Sequence, residues 1–143
     1  MKHEIIDLNF EVNETENIVN DVSTIINQSR KVAYKAIDIV LLKRNWLIGK
    51  RINDEELKET RTENYGLEII KNLSKILTER FGNGFGKQTL YNFYKFYKTY
   101  KNIFQTVFGQ SFLSWSHYLL LMAIEDTEAR EWYEKKLLNY LGV

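Results

Sequence analysis

The chain has 143 residues, 44% of them apolar, no proline, no cysteine, seven glycines and a formal net charge of +1. That is enough to bury one core, and the scarcity of turn residues permits long helices but not a many-stranded sheet, so the expected class is all-α: a single helical domain of about five helices. Disulfides and thiolate metal sites are excluded, two histidines (His3 and His117) do not make a zinc site, and no apolar run approaches the roughly 18 residues of a membrane span. Residues 1–10 lack a leader pattern, so the expected location is cytoplasmic, with no membrane partner.

Residues 1–13 show no helical stripe and read as a flexible arm. From Thr15 the pattern changes. Ile18, Val22, Ile25, Ser29, Val32, Ala36, Ile39, Lys43 and Trp46 follow in alternating steps of four and three, with Ile26, Ala33, Ile37, Val40 and Leu47 on one flank. This predicts one helix over 15–52, capped by Asn13 or Thr15. At about 1.5 Å per residue it exceeds roughly 45 Å, more than the domain needs. Part of the stripe is therefore expected to form a homodimer, with Ile18, Val22, Ile25 and Val32 at the interface. Gly49 costs roughly 1 kcal/mol against alanine inside a helix and implies a close backbone approach. Residues 53–64 read as a solvated connection, and Asp54, Glu55 and Glu56 as surface rather than a metal site.

A helix over 65–80 is expected to bury Ile69, Leu73, Ile76 and Leu77. Gly82, Gly84 and Gly86 then form a turn, and a helix over 87–104 places Leu90, Phe93, Phe96, Tyr97, Tyr100 and Phe104 on one side. The two make a helix-turn-helix-like pair, although a six-residue turn is long for that motif. The opposite side carries Lys87, Gln88, Tyr91, Asn92, Lys95 and Lys98, cations interleaved with hydrogen-bonding and stackable groups, which is the composition of a nucleic-acid surface. Charge distribution supports this. Residues 1–79 hold 12 Lys/Arg against 14 Asp/Glu and residues 125–143 hold 3 against 5, but residues 80–124 hold five Lys/Arg and no acid, a segment that would steer anions toward it. The rival reading is an aromatic core edged by solvated lysines. A C-terminal helical hairpin over 116–141 is expected to have Ser114 or Ser116 and Asp126 as caps and Gly142 as its close. Its apolar stripe would be Ala129, Trp132, Tyr133, Lys136, Leu137 and Tyr140, with Trp115 and Trp132 read as core.

No residue is assigned a catalytic role, and no metal or cofactor is expected. His3 in the arm and His117 at a helix start offer no partner for a serine nucleophile, and no phosphate-binding GxxxxGK[ST] loop is present. The Glu-x-Lys triplets at 56–58 and 134–136 lie in solvated or helical sequence without a strand-borne aspartate, so the chain alone is expected to leave DNA uncut.

Several motifs taken together resemble the N-terminal domain of the YhcG family: WLIGKRI at 46–52, Tyr65 with Gly66, Leu73, Ser74 and Lys75, Leu77 with Thr78, the turn FGNGF at 81–85, LSWSHY at 113–118, and Glu128, Ala129 and Arg130 with Trp132 and Tyr133. Full-length members join this helical domain to a C-terminal PD-(D/E)XK nuclease domain. The resemblance implies a helix-turn-helix type module that binds double-stranded DNA and serves a nuclease in cis or in trans. This chain ends at Val143, where that nuclease domain would begin, so it is expected to be either a fragment of a longer nuclease or a protein acting through a partner. It departs from the family at Gly86, where relatives usually have serine, and at Tyr91, Asn92, Tyr94 and Lys95, where arginines are usual. Bidentate arginine readout of bases is thereby removed from this helix. The alternative function is a protein-interaction or dimerisation module that docks a nuclease or another effector.

Overall fold

The computed structural model describes residues 10–58, 65–104 and 112–141. Among these it contains five helices and no strand: α1 (Ile18–Leu57), α2 (Tyr65–Phe81), α3 (Lys87–Thr99), α4 (Trp115–Met122) and α5 (Thr127–Leu141). The chain is an all-α single domain, as its composition implies.

α3 is the axis of the core. Leu90, Phe93 and Phe96 recur every third residue, are buried, and give a short helix one apolar stripe that meets α1, α2 and α4. Below, Phe93 and Leu90 pack with Ile52 of α1 and Ile70 of α2. Above, Phe96 packs with Leu42, Trp46, Tyr118, Leu121 and Met122. Half-buried Trp115 sets its ring edge against both Phe93 and Phe96, at 5.6 and 5.1 Å between centroids, and joins the two halves. α1 crosses α3 at Gly49, where an added Cβ would stand 2.0 Å from the Phe93 carbonyl oxygen. The close approach expected of that glycine is present. Nearby, the Trp46 indole N–H donates to the Tyr100 carbonyl at 3.0 Å and satisfies one of the acceptors freed where α3 ends.

Several boundaries differ from those expected. Asn17, not Asn13 or Thr15, caps α1, its Oδ1 accepting from the Val19 and Asn20 amides at 3.0 and 3.1 Å. Thr15 instead turns its amide and hydroxyl onto the Asp21 carboxylate. α1 also continues through Leu57 rather than stopping at 52. Its last turns are held by i,i+4 ion pairs, Lys50–Asp54 at 2.7 Å and Arg51–Glu55 at 3.2 Å, a helix-supporting pattern that charge-rich composition resembles a loop in. At 40 residues α1 is about 60 Å long. α3 stops at Thr99, and Phe104 reaches the core from the turn that follows, its ring 5.6 Å from Trp46. Ile70, not Ile76, is the buried isoleucine of α2, since the row facing the core runs through Ile70, Leu73 and Leu77 and leaves Ile76 to solvent. Arm residues 1–9, residues 59–64 of the connection and Gly142 lie outside the described residues.

The hairpin caps are Ser114, which accepts from the His117 amide at 3.2 Å, and Asp126, which accepts from the Glu128 amide at 3.2 Å. Of the stripe expected on α5, Leu137 packs and Ala129 is half-buried, while Trp132, Tyr133, Lys136 and Tyr140 are exposed. α5 leans on the body through Leu137 and Leu138 and through Arg130, whose Nη1 donates to the Ile124 carbonyl at 2.7 Å. That rotates Trp132 and Tyr140 outward to 55% and 87% exposure, so Trp132 is a surface residue, in contact with the Tyr133 ring and the Lys136 ammonium.

Glu134 sits on the packing side of α5, and burial, the largest influence on it, pushes its carboxyl pKa up. The folded state thus holds this proton more tightly than the unfolded state. The resulting stability is fully present below the usual carboxyl value of 4.5 and is lost as pH rises through the folded pKa. Glu134→Gln is accordingly expected to melt at a higher temperature than the parent near neutral pH, with the difference shrinking as pH falls toward 4.5. Parallel thermal melts across that range measure it; a constant difference would remove Glu134 as the cause.

Candidate nucleic-acid interface

The turn that launches α3 needs its glycines. Gly82 and Gly84 have φ of 79° and 114°, in the region that side-chain-bearing residues avoid, and the Phe81 and Phe85 rings meet edge to face across the turn at 6.0 Å. The connection comprises the five residues 82–86. Gly86 occupies the cap position of α3 in extended backbone and contributes no side-chain bond. The first-turn amides of α3 therefore have no side-chain acceptor from their own cap and point outward beside Lys87.

Every residue assigned to DNA from the sequence falls on the side of α3 away from the core. Lys87, Gln88, Tyr91 and Lys98 are exposed, and Asn92 and Lys95 are half-buried along its margin. Gln88 donates from Nε2 to Asn92 Oδ1 at 3.1 Å, so these two side chains are pre-set as a pair. Among the described residues, Lys87, Lys95 and Lys98 form no ion pair, the ion pairs all lying near the end of α1.

One edge of the face is closed by an acid. Lys98 Nζ donates to the Tyr94 hydroxyl at 3.2 Å and lies 5.1 Å from that ring's centre. The Tyr94 hydroxyl in turn donates to Glu56 Oε2, and burial together with that carboxylate pushes the Tyr94 pKa upward. The Glu56 carboxylate rests against Gly66, where a Cβ would come within 3.0 Å of it, near the start of α2, where negative charge is favoured. Asp54, Glu55 and Glu56, read from the sequence as undifferentiated surface, thus have separate jobs: one pairs with Lys50, one with Arg51 and Lys58, and one latches α1 to α2 and α3.

Arg44 is a residue that sequence reasoning missed. It lies on α1, over forty positions before α3, yet its guanidinium stands 5.7 Å from the Phe85 ring and 5.8 Å from Phe93 and donates twice to the buried Asn45 Oδ1, at 3.1 and 2.9 Å. It adds a cation beside the glycine turn. No periodicity in the sequence could have placed it there. His117 pairs its Nδ1 with Ser114 Oγ at 2.8 Å, a contact that belongs to the helix cap. The four residues assigned to a dimer lie along α1 ahead of Ile39, its first buried residue; Ile18, Val22 and Ile25 are exposed and Val32 is half-buried. Among the described residues no helix is long and apolar enough to cross a membrane.

No curated protein and no solved structure matches the chain. The family described as the DUF1016 N-terminal domain matches residues 21–140, which includes α2, α3 and α4 whole, nearly all of α1 and α5, and the whole of the α3 face. With most of its length matched, the chain belongs to the DUF1016 family, the YhcG family that its motifs resemble, and carries that family's N-terminal domain.

Proposed function

We propose that the chain is a non-catalytic DNA-binding domain that positions a nuclease on double-stranded DNA, with the outer face of α3 laid against the duplex. The observation that carries this reading is the face itself: three lysines without ion pairs among the described residues, interleaved with Gln88, Tyr91 and Asn92, on a helix whose other side is locked into the core. Lysines and the open amides of the first turn would hold phosphates, and the Gln88–Asn92 pair would meet base edges. Arg44 would extend the phosphate contacts past the glycine turn. A second reading, a protein-interaction module that docks a nuclease or other effector, is favoured by the uncovered apolar side of α1 and by the Glu56 carboxylate at the edge of the lysine face.

Salt dependence separates the two. If Lys87, Lys95 and Lys98 neutralise phosphates, each displaces condensed counterions, and the slope of log affinity against log salt falls by about 0.9 per lysine removed. Lys95→Ala should weaken binding to all duplexes alike. Gln88→Ala or Asn92→Ala should change the preference between sequences. Fluorescence anisotropy titrations at several salt concentrations read both. Absence of binding at low salt, or equal slopes for Lys95→Ala and the parent, favours the interaction module.

A further inference from the structure

The first half of α1 carries an apolar side that nothing else in the described chain covers. Ile18 is 74% exposed, Val22, Ile25 and Ile26 are exposed as well, and no residue of α1 before Ile39 is buried. Residues 18, 22, 25, 29, 32 and 36 alternate in steps of four and three, a heptad seam, with Val19, Ile26 and Ala33 following one another at heptad spacing along its flank. The side that α1 gives its own core, through Ile39, Leu42, Trp46, Gly49 and Ile52, is turned roughly 120° round the helix from that seam and lies further along it. The body of the domain therefore cannot extend to cover it. Nor is this half of α1 a helix that stands alone: it is rich in β-branched isoleucine and valine, which lower helix propensity, and a lone helix of this length is marginal in water.

Size and charge both identify the occupant as a second copy running in the opposite direction. Set antiparallel about the level of Asn27, the seam is self-complementary: Ile18 meets the partner's Ala36, Val22 meets the partner's Val32, and Ile25 meets the partner's Ser29, so each isoleucine faces a small residue and the two valines face each other. On the flanks Ile26 meets the partner's Ile26, Gln28 meets the partner's Gln28, and Asp21 meets the partner's Lys35. Asp21 is oriented for this by Thr15, whose amide and hydroxyl hold its carboxylate. A parallel pair would stack Ser29 on Ser29 and Ala36 on Ala36, leaving gaps, and would put Asp21 against Ile26 and Lys35 against Val40. The acid-rich start of the helix, with Glu14, Glu16 and Asp21, and its basic middle, with Arg30, Lys31 and Lys35, attract each other only in the antiparallel sense.

We propose that two copies of the chain pair antiparallel through residues 18–36 of α1, forming a two-fold rod with one globular body at each end. The Trp46 positions of the two bodies are then roughly 55–60 Å apart. This pairing stands or falls independently of DNA binding.

The chain has no cysteine of its own, so single introduced cysteines report the geometry cleanly. At tens of micromolar, light scattering is expected to return twice the chain mass. Gln28→Cys should be joined to itself by a short bifunctional maleimide. Ile18→Cys alone should not be, but it should join to Ala36→Cys when the two variants are mixed and annealed. Lys35→Glu should weaken the dimer several-fold and Asp21→Lys in the same chain should restore it. All these positions lie outside the core, so circular dichroism of the body serves as the folding control. A monomer mass overturns the proposal, and self-joining of Ile18→Cys without joining to Ala36→Cys overturns the antiparallel register.

Discussion

Phe96→Ala is expected to cost about 3–5 kcal/mol of folding stability, a large part of the roughly 5–15 kcal/mol that holds a domain of this kind together. Phe96 has no solvent exposure. Its ring meets Trp115 at 5.1 Å, Tyr118 at 5.2 Å and Tyr100 at 5.7 Å. Truncation therefore removes three aromatic contacts as well as the buried area, and leaves a cavity that α1, α3 and α4 cannot close without moving together. The tertiary signal is close at hand, since Trp46 and Trp115 pack in or against the same cluster. Urea titrations followed by tryptophan fluorescence and by circular dichroism should give coincident transitions at lower denaturant. Leu120→Ala is the control: Leu120 is 68% exposed on α4, and its loss should stay within about 0.5 kcal/mol. A cost below about 1 kcal/mol for Phe96→Ala would mean that the core is not organised around α3.

The parts of the fold visible in the sequence are those where a period and a packing surface coincide. Leu90, Phe93 and Phe96 could be read because α3 is buried along one stripe and wet along the other. The glycine turn could be read because Gly82 and Gly84 need positive φ. α5 was misread for the opposite reason. Its large aromatics form a helical stripe, but the helix packs through Leu137, Leu138 and the Arg130 bond to Ile124, so size and periodicity pointed at Trp132 while burial went elsewhere. The end of α1 was misread because i,i+4 ion pairing and loop composition look alike in a list of charges. On the candidate interface, the outward set from Lys87 to Lys98 follows from winding α3, a local property. Arg44, and the latch from Glu56 through Tyr94 to Lys98, depend on where α1 crosses α3, and no local pattern carries that information.

The crossing itself gives the sharpest test of the fold. Gly49→Ala would ordinarily stabilise a helix by about 1 kcal/mol, because alanine loses less backbone freedom and shields the chain better. Here the added methyl would stand 2.0 Å from the Phe93 carbonyl oxygen, 2.6 Å from its carbon and 3.0 Å from Tyr97 Cβ. Two of these three atoms are backbone, so no rotamer change relieves the contact; α1 and α3 have to separate. Separation loosens Trp46 against Tyr97 and Phe104 on one side of the crossing and Ile52 against Leu90 and Phe93 on the other. Overpacking of this kind costs about 1–3 kcal/mol, and more where the backbone must move, so the propensity gain is outweighed. With the cost at the upper end of that range, less the propensity gain, a net loss of about 2 kcal/mol is expected, with a fall in melting temperature of roughly 5–10 °C. Gly86→Ala, at a position where an added Cβ meets nothing within 4 Å, should cost less than about 1 kcal/mol, through the poorer cap alone. If Gly49→Ala is neutral or stabilising, α1 and α3 do not cross at Gly49, and the placement of Arg44 and Glu56 around the lysine face falls with it.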